Sequence, residues 1–394
     1  MPAGRAAEIV IVGAGPAGLQ AAIAAAERGA SVLVFDKKQS IGVPVKCGEF
    51  FPRKEEMLDL LPRSEDFAHL FEMPTRAISN TCERLRIYSP RGKRWEFSFG
   101  AYVLDRISLE QHLAEQAGKL GVEFKLGHPV RIFRDGAKVK VGPVEYESFE
   151  AEVVIAADGF PSVTASSGGL ADDQYTFPSN VATNYQYLMA DLDIESDITE
   201  MYTGTCISPG GYGWIIPKSN TTANIGVGVR TGFKTSVKGR EHLDYFVRKY
   251  PITAHKLARG TVLTMITDVL PVDGPLSKTH ADKMLLVGDS AGLVMPTNGG
   301  GIPTAMISGR IAGEVAVLHL RKGDPLSDYE RRWKIAFGRE LYASTRMRRF
   351  ADVFMPHDTL FDWAMKVLRT SGIKKVVTCK IPRGLDVLMR LLGC

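Results

Sequence analysis

Three carboxylates sit where carboxylates hold nucleotides. Asp36 follows the apolar run Ser31 to Phe35, Asp158 precedes Gly159 at the end of VVIAA, and Asp289 follows Gly288 at the end of KMLLV. Ligands of open α/β sheets bind outside the carboxyl ends of the strands, so each acid is placed to accept hydrogen bonds from ribose or ribityl hydroxyls. Gly13, Gly15 and Gly18 in IVGAGPAGL supply the matching phosphate chemistry. In G-x-G-x-x-G the first glycine makes a tight turn, the second lets a pyrophosphate approach the backbone, and the third lets helix and strand pack closely.

The elements that must position these groups follow from the pattern. Glu8 to Val12 is expected as a strand, Ala17 to Arg28 as a helix whose N-terminus faces the phosphates, and Ser31 to Phe35 as the second strand. A dinucleotide is the implied ligand, FAD or NAD. The two later strand ends favour FAD, because Gly299, Gly300 and Gly301 precede an alanine-rich helix whose free N–H groups can face an electron-rich ring. No further G-x-G-x-x-G follows a strand, which argues against a separate NADPH domain.

Composition bounds the rest. The chain has 394 residues, enough for roughly two to three domains. Its five cysteines are scattered, without a Cys-x-x-Cys pair, so neither a zinc knuckle nor a secreted disulfide framework is indicated, and no metal is expected. A reducing cytoplasmic setting fits this usage. The longest apolar region, residues 9 to 26, is interrupted by Gly13, Gly15, Pro16 and Gly18, unlike a membrane span. Net charge is +5, yet residues 331 to 394 hold 14 Lys and Arg against 5 Asp and Glu, leaving the first 330 at −4. Such a basic helical tail suits anionic lipid, a phosphorylated substrate or simple solvation. Nucleic acid is not expected as a partner.

The order of these pieces resembles the FAD-dependent para-hydroxybenzoate hydroxylase-like superfamily. That resemblance implies that Asp289 contacts the ribityl and ribose region of FAD and that Arg106, in Leu104-Asp105-Arg106, helps hold the cofactor. Within it, GGYGWIIPKSNTTANIGVGV is similar to the geranylgeranyl reductase pattern Tyr-x-Trp-x-Phe-Pro, a spacer of seven or eight, then Gly-x-Gly. Tyr212, Trp214, Pro217, Gly226 and Gly228 match, and Ile216 replaces the phenylalanine. PVKCGEF resembles the family's Pro-x-x-Cys-Gly-Glu segment, and GDSAGLVMPTNGGGI its flavin loop.

The resemblance implies an FAD-dependent enzyme that saturates isoprenoid double bonds of geranylgeranyl chains, in archaeal-type membrane glycerophospholipids above the other family substrates. Its cofactor set would be Gly13, Gly15, Ala17, Gly18, Asp36, Lys46, Cys47, Gly48, Arg106, Asp158, Gly159, Asp289, Gly300, Gly301 and Ile302. Tyr212, Trp214, Pro217, Gly226 and Gly228 would bind the prenyl chain, with the aromatics opposite bare glycine backbone leaving an apolar slot. Cys47, Glu49 and Tyr212 are the candidate proton donors. Cys47 has no cysteine five residues away, since Gly42 and Pro52 stand there, while Cys206 and Cys379 remain as distant partners. An external electron donor, NADPH, ferredoxin or another reductant, is required. The competing readings are a group A flavin monooxygenase with an aromatic substrate and a non-catalytic flavin or lipid-binding protein.

The expected fold is α/β: a discontinuous Rossmann-type FAD-binding domain (1–81, 105–170, 266–324), an inserted antiparallel-sheet substrate domain (82–104, 171–265) and a C-terminal helical region (325–394). The protein is expected in the cytoplasm, peripheral at the membrane surface through its basic tail.

Overall fold

AEIVIV forms the central strand of a parallel sheet because both of its faces are covered. From Ile9 to Val12 every side chain is buried, as a strand flanked by helices on both sides requires. In the computed structural model this strand, Ala7–Val12, pairs in parallel with Val32–Asp36 on one side and Phe149–Ala156 on the other. Glu123–Leu126 and Met284–Leu286 extend the parallel set at its two ends. The structure describes residues 7–382 except 136–137, 144–148, 171–179, 231 and 234–236, and beyond 382 only 384–386 and 389.

Two helices lie against each other beside this sheet, Pro16–Ala26 and Ile302–Lys322. Their approach is set by small residues. A Cβ on Gly309 would stand 2.0 Å from the carbonyl oxygen of Ala17, and one on Gly313 would stand 2.3 Å from that of Ala21. Only glycine permits backbone contact at this range. The glycine loop and the second flavin-type loop are thereby held at the same end of the sheet.

The second sheet has eight strands in the order Thr261–Pro271, Val181–Ala190, Ala223–Arg230, Gly213–Pro217, Ile198–Tyr202, Ile78–Tyr88, Arg94–Leu104 and Phe50–Pro52. Its neighbours are antiparallel except for Ile198–Tyr202 against Ile78–Tyr88. The boundaries expected at residues 82 and 266 fall inside continuous strands, and Phe50–Pro52 brings an edge strand from the first segment. The boundary expected at 170–171 borders residues outside those described.

Of the C-terminal helices, the last covers one side of this sheet, with Met365 and Ile373 packed among Leu85, Ile87 and Phe99, while the first packs on the parallel sheet, where Tyr329 donates to the carbonyl of Leu286 at 2.6 Å. Ser327–Trp333 runs on into Arg339–Ala351, and Asp358–Val377 follows. The last helix bends at Arg369, whose φ of 53° breaks the helical path. The helical region is tied down by charge: Arg230 grips Asp352 through both terminal nitrogens, and Arg348 reaches both Asp352, at 3.1 Å, and Asp273. The end of the expected C-terminal helical region, from 383 to 394, lies mostly outside the described residues. Among the described residues no helix is long and apolar enough to cross a membrane.

Candidate active site

Two uncapped helix N-termini open onto one cavity of about 260 Å³. Gly15 precedes the helix Pro16–Ala26 and Gly301 precedes Ile302–Lys322, and neither helix has a side-chain cap. Unsatisfied first-turn N–H groups with a positive dipole end suit a pyrophosphate or an electron-rich ring. Gly15, Ala17, Lys46, Cys47, Gly48, Arg106, Gly159, Asp289, Gly301 and Ile302 all line this cavity.

The residues fit FAD on two observations. A Cβ on Gly15 would meet nothing within 4 Å, so the space beside the loop is open to a ligand. Arg106, with 14% of its side chain exposed, keeps a buried Nε without a hydrogen-bond partner although its far end is paired with Glu110. A buried guanidinium N–H left unmatched costs stability unless a bound group satisfies it. Burial, assisted by Asp268, also pushes the Asp289 carboxyl up to about 6.

Other expected cofactor residues work from outside the cavity. Gly13 and Gly18 are packing positions, with a Cβ on Gly13 only 2.1 Å from the carbonyl oxygen of Ala157. Asp36 spends one oxygen on the N–H of Ala14 at 2.7 Å and the other on Lys38 at 2.8 Å, tying the glycine loop to the second strand. Asp158 accepts from Ser162 Oγ at 2.6 Å and the N–H of Thr164 at 3.0 Å, anchoring the short helix Val163–Ser167. Gly300 belongs to the neighbouring cavity, its N–H held by Asn298 Oδ1 at 2.9 Å.

That neighbouring cavity, of about 390 Å³, is predominantly apolar and shares a wall with the first. The common wall includes Cys47, Gly48, Trp214, Leu270, Gly299, Gly301 and Ile302. Tyr212, Trp214 and Ile216 alternate along one strand and so present one face to the space. The rings of Tyr212 and Trp214 meet edge to face at 5.9 Å. Tyr212 donates to the carbonyl of Asn298 at 2.5 Å, and burial pushes its phenol up to about 12.

The glycine pair does something different from what the motif suggests. Gly226 does not leave a slot; it seats the indole, since a Cβ there would lie 2.2 Å from Trp214 Cζ2. Gly228 lines the apolar cavity beside Asn184, whose Oδ1 would stand 2.9 Å from an added Cβ. Pro217 faces away from the cavity, and its carbonyl accepts from Asn80 Nδ2 at 2.7 Å. With the indole so placed, Trp214 Nε1 donates to Gln186 Oε1 at 3.1 Å, and Gln186 Nε2 donates to the carbonyl of Cys47 at 3.0 Å. The aromatic wall and the cysteine loop are therefore one hydrogen-bonded unit.

Cys47 lies in the shared wall, and its Sγ accepts from the N–H of Glu49 at 3.1 Å. Burial pushes its thiol up, while the Arg106 guanidinium pulls the other way. All four described cysteines carry free thiols, so Cys47 is not paired with Cys206 or Cys379. Glu49 was expected among the proton donors, but the structure uses it as an organiser. Its carboxylate accepts from the N–H of Arg106 at 2.9 Å, from Asn224 Nδ2 at 2.8 Å and from Lys218 Nζ. These bonds hold Glu49 at φ 66°, a region that non-glycine residues rarely occupy, and so fix the turn that aims Cys47.

Sequence reasoning missed Gln186, Lys218, Asn224 and Asn298. Lys218 and Asn224 lie within the matched aromatic stretch and Asn298 within the quoted flavin loop, so only Gln186 carried no signal.

Fold and site define an FAD-dependent oxidoreductase in which a Rossmann-type cofactor site adjoins an apolar substrate cavity. Residues 11–71 match the NAD(P)-binding Rossmann-like domain, and residues 180–268 match the geranylgeranyl reductase catalytic domain. The chain is 34% identical to digeranylgeranylglycerophospholipid reductase 2 of Methanopyrus kandleri, over 88% of this chain and 87% of that protein. It is 36% identical to the digeranylgeranylglycerophospholipid reductase of Methanosarcina acetivorans, over 85% and 82%. A geranylgeranyl bacteriochlorophyll reductase-like protein from Thermoplasma acidophilum superposes with a TM-score of 0.84 at 27% identity, covering 98% of this chain and all of that one. A flavin-dependent brominase, at 16% identity and a TM-score of 0.72, shares the fold. The chain belongs to the geranylgeranyl reductase family.

Proposed function

We propose that this protein saturates carbon–carbon double bonds in the geranylgeranyl chains of archaeal-type membrane glycerophospholipids. The observation that carries this reading is the apolar cavity that meets the cofactor cavity at Cys47 and Gly48 beneath the Tyr212–Trp214 wall. An aromatic substrate for hydroxylation would not call for an apolar cavity that reaches from this wall to the C-terminal helices.

FAD, when bound and reduced, supplies hydride chemistry. Gly15, Ala17, Gly48, Arg106, Gly159, Asp289, Gly301 and Ile302 hold it, with Asp36 and Asp158 shaping the loops around it. The chain's own residues then do three things. The apolar lining excludes water and lays an alkene along the shared wall. The faces of Tyr212 and Trp214 stabilise positive charge as it develops on the more substituted carbon. Cys47 Sγ, protonated because burial raises its pKa, delivers the proton to the less substituted carbon. The resulting thiolate is met by the N–H of Glu49 and by Arg106 until solvent returns a proton. One hydride and one proton saturate one double bond, and electrons come from an external donor. The basic C-terminal region holds the enzyme at the membrane that contains its substrate.

The test is anaerobic. Reduced protein incubated with digeranylgeranylglyceryl phosphate should yield lipid masses rising by one hydrogen pair per step. No mass shift, with the flavin reduced and the lipid bound, would overturn the reading.

A further inference from the structure

The helix Asp358–Val377 carries two apolar faces, and the cavity explains only one. Before the bend at Arg369, Phe361, Ala364, Met365 and Leu368 line the apolar cavity at i, i+3, i+4 and i+7. Leu360, Trp363 and Val367 form a second stripe at i, i+3 and i+7. They are 39%, 58% and 59% exposed and line neither of the two cavities described above. At 3.6 residues per turn the two stripes lie roughly a third of a turn apart, so they adjoin along the helix. An exposed tryptophan, valine and leucine in one row mark an interaction surface rather than scattered surface apolarity.

Charge on the same helix identifies what the surface faces. Its two acids are turned inward: Asp358 accepts from the backbone and hydroxyl of Thr205, each at 2.9 Å, and the buried Asp362 accepts from Ser89 with Lys366 over it at 2.6 Å. Arg369 and Lys374 are exposed. From Val353 to Pro382 there are five Lys and Arg against two Asp, a balance of +3, and neither acid faces solvent alone. A tryptophan-bearing apolar stripe edged by cations is the composition of a segment that lies in the interface of a bilayer with anionic head groups.

We propose that the arm Asp358–Leu368 docks this protein on an anionic bilayer, with Leu360, Trp363 and Val367 immersed at the level of the head groups. Docking in this orientation sets the cavity-lining stripe next to the lipid, so a prenyl chain passes from bilayer to cavity along one helix without crossing water. The inference rests on the prenyl-lipid reading of the cavity, and its test separates the two.

Full-length, FAD-loaded protein is floated at low salt with phosphatidylglycerol vesicles and, in parallel, with phosphatidylcholine vesicles. The wild type should float with the anionic vesicles and lose tryptophan emission when the lipids carry bromine near the head group. A Leu360→Glu, Trp363→Glu, Val367→Glu variant should float at least tenfold less. Its rate on vesicle-embedded geranylgeranyl lipid should also fall at least tenfold, with the rate on detergent-dispersed lipid unchanged. Trp363→Ser, checked by its bound flavin absorbance, replaces the triple variant if that one fails to fold. Equal flotation of variant and wild type, or no flotation of the wild type, overturns the docking proposal. Wild-type flotation that the variant loses, with no lipid reduced in either format, overturns the reductase reading and leaves the docking surface standing.

Discussion

Gly226→Ala is the sharpest probe of how the active-site wall is built. The added Cβ would lie 2.2 Å from Trp214 Cζ2 and 2.4 Å from Cε2, whereas ordinary contact begins near 3.4 Å. The indole must therefore move by about 1.2 Å, taking 2.2 from 3.4. Its Nε1 is 3.1 Å from Gln186 Oε1, close to the limit of a good bond, so a shift of that size breaks it. Overpacking of a well-filled site costs about 1–3 kcal/mol, and a lost hydrogen bond about 0.5–1.5 kcal/mol. A total of about 2–4 kcal/mol is expected, felt as a drop of about 10 °C or less in Tm for a chain of this size. Gln186 also holds the carbonyl of Cys47, so the thiol loses its aim and kcat should fall by about tenfold to a hundredfold. FAD content should fall as well, because the displaced indole, Gln186 and Cys47 all line the cofactor cavity although Gly226 itself does not. Thermal unfolding, flavin absorbance and single-turnover lipid reduction measure the three effects separately. A variant with unchanged Tm and wild-type turnover would refute the argument that Gly226 exists to seat Trp214.

Two further outcomes follow from titratable groups in the shared wall. Cys47→Ala should retain FAD yet lose at least tenfold in single-turnover reduction. In the wild type the raised thiol pKa keeps the proton on sulfur past the ordinary thiol range, so the rate should hold through neutral pH and fall only at alkaline pH; a wild-type rate in the variant would remove Cys47 as the donor. Asp289 has a folded pKa of about 6 against 3.8 for a free side chain, so the apo fold is favoured when it is protonated, and that contribution is present below 3.8 and lost as pH rises through 6. Asp289→Asn should therefore raise the Tm of the FAD-free protein at pH 8 more than at pH 4, while weakening FAD retention, and equal Tm changes at the two pH values would contradict the assignment.

The Rossmann half was legible because its signals are local. A strand, a glycine turn and a helix in sequence fix their own geometry, and IVGAGPAGL folds as its spacing requires. Family likeness also marked Tyr212 and Trp214, which with Ile216 line the apolar cavity and share a face by strand period alone. What sequence did not carry was the partnering. Gln186 comes from a strand 28 residues before Trp214, and nothing in its neighbours sets it apart from a surface glutamine. Glu49 stands two residues after Cys47 and is a candidate acid by sequence, but its carboxylate is held by Lys218 and Asn224 from the distant hairpin. Asp36 and Asp158 were found at the right strand ends, while the backbone groups they hold depend on loop conformations that only the folded chain defines.

The close seating of Gly309 and Gly313 on Ala17 and Ala21 has a bearing on synthesis at the ribosome. The helix that presents the glycine loop is made among the first thirty residues, but the helix that covers it ends at Lys322. The strand Met284–Leu286 that closes one side of Phe149–Ala156 is likewise late. Domains fold as units as they emerge, so this one cannot close until the later helix, ending at Lys322, has left the exit tunnel. Until then the nascent polypeptide holds an open parallel sheet and an unlined aromatic wall, a long interval in which a molecular chaperone has more to protect than in a chain whose first domain is contiguous.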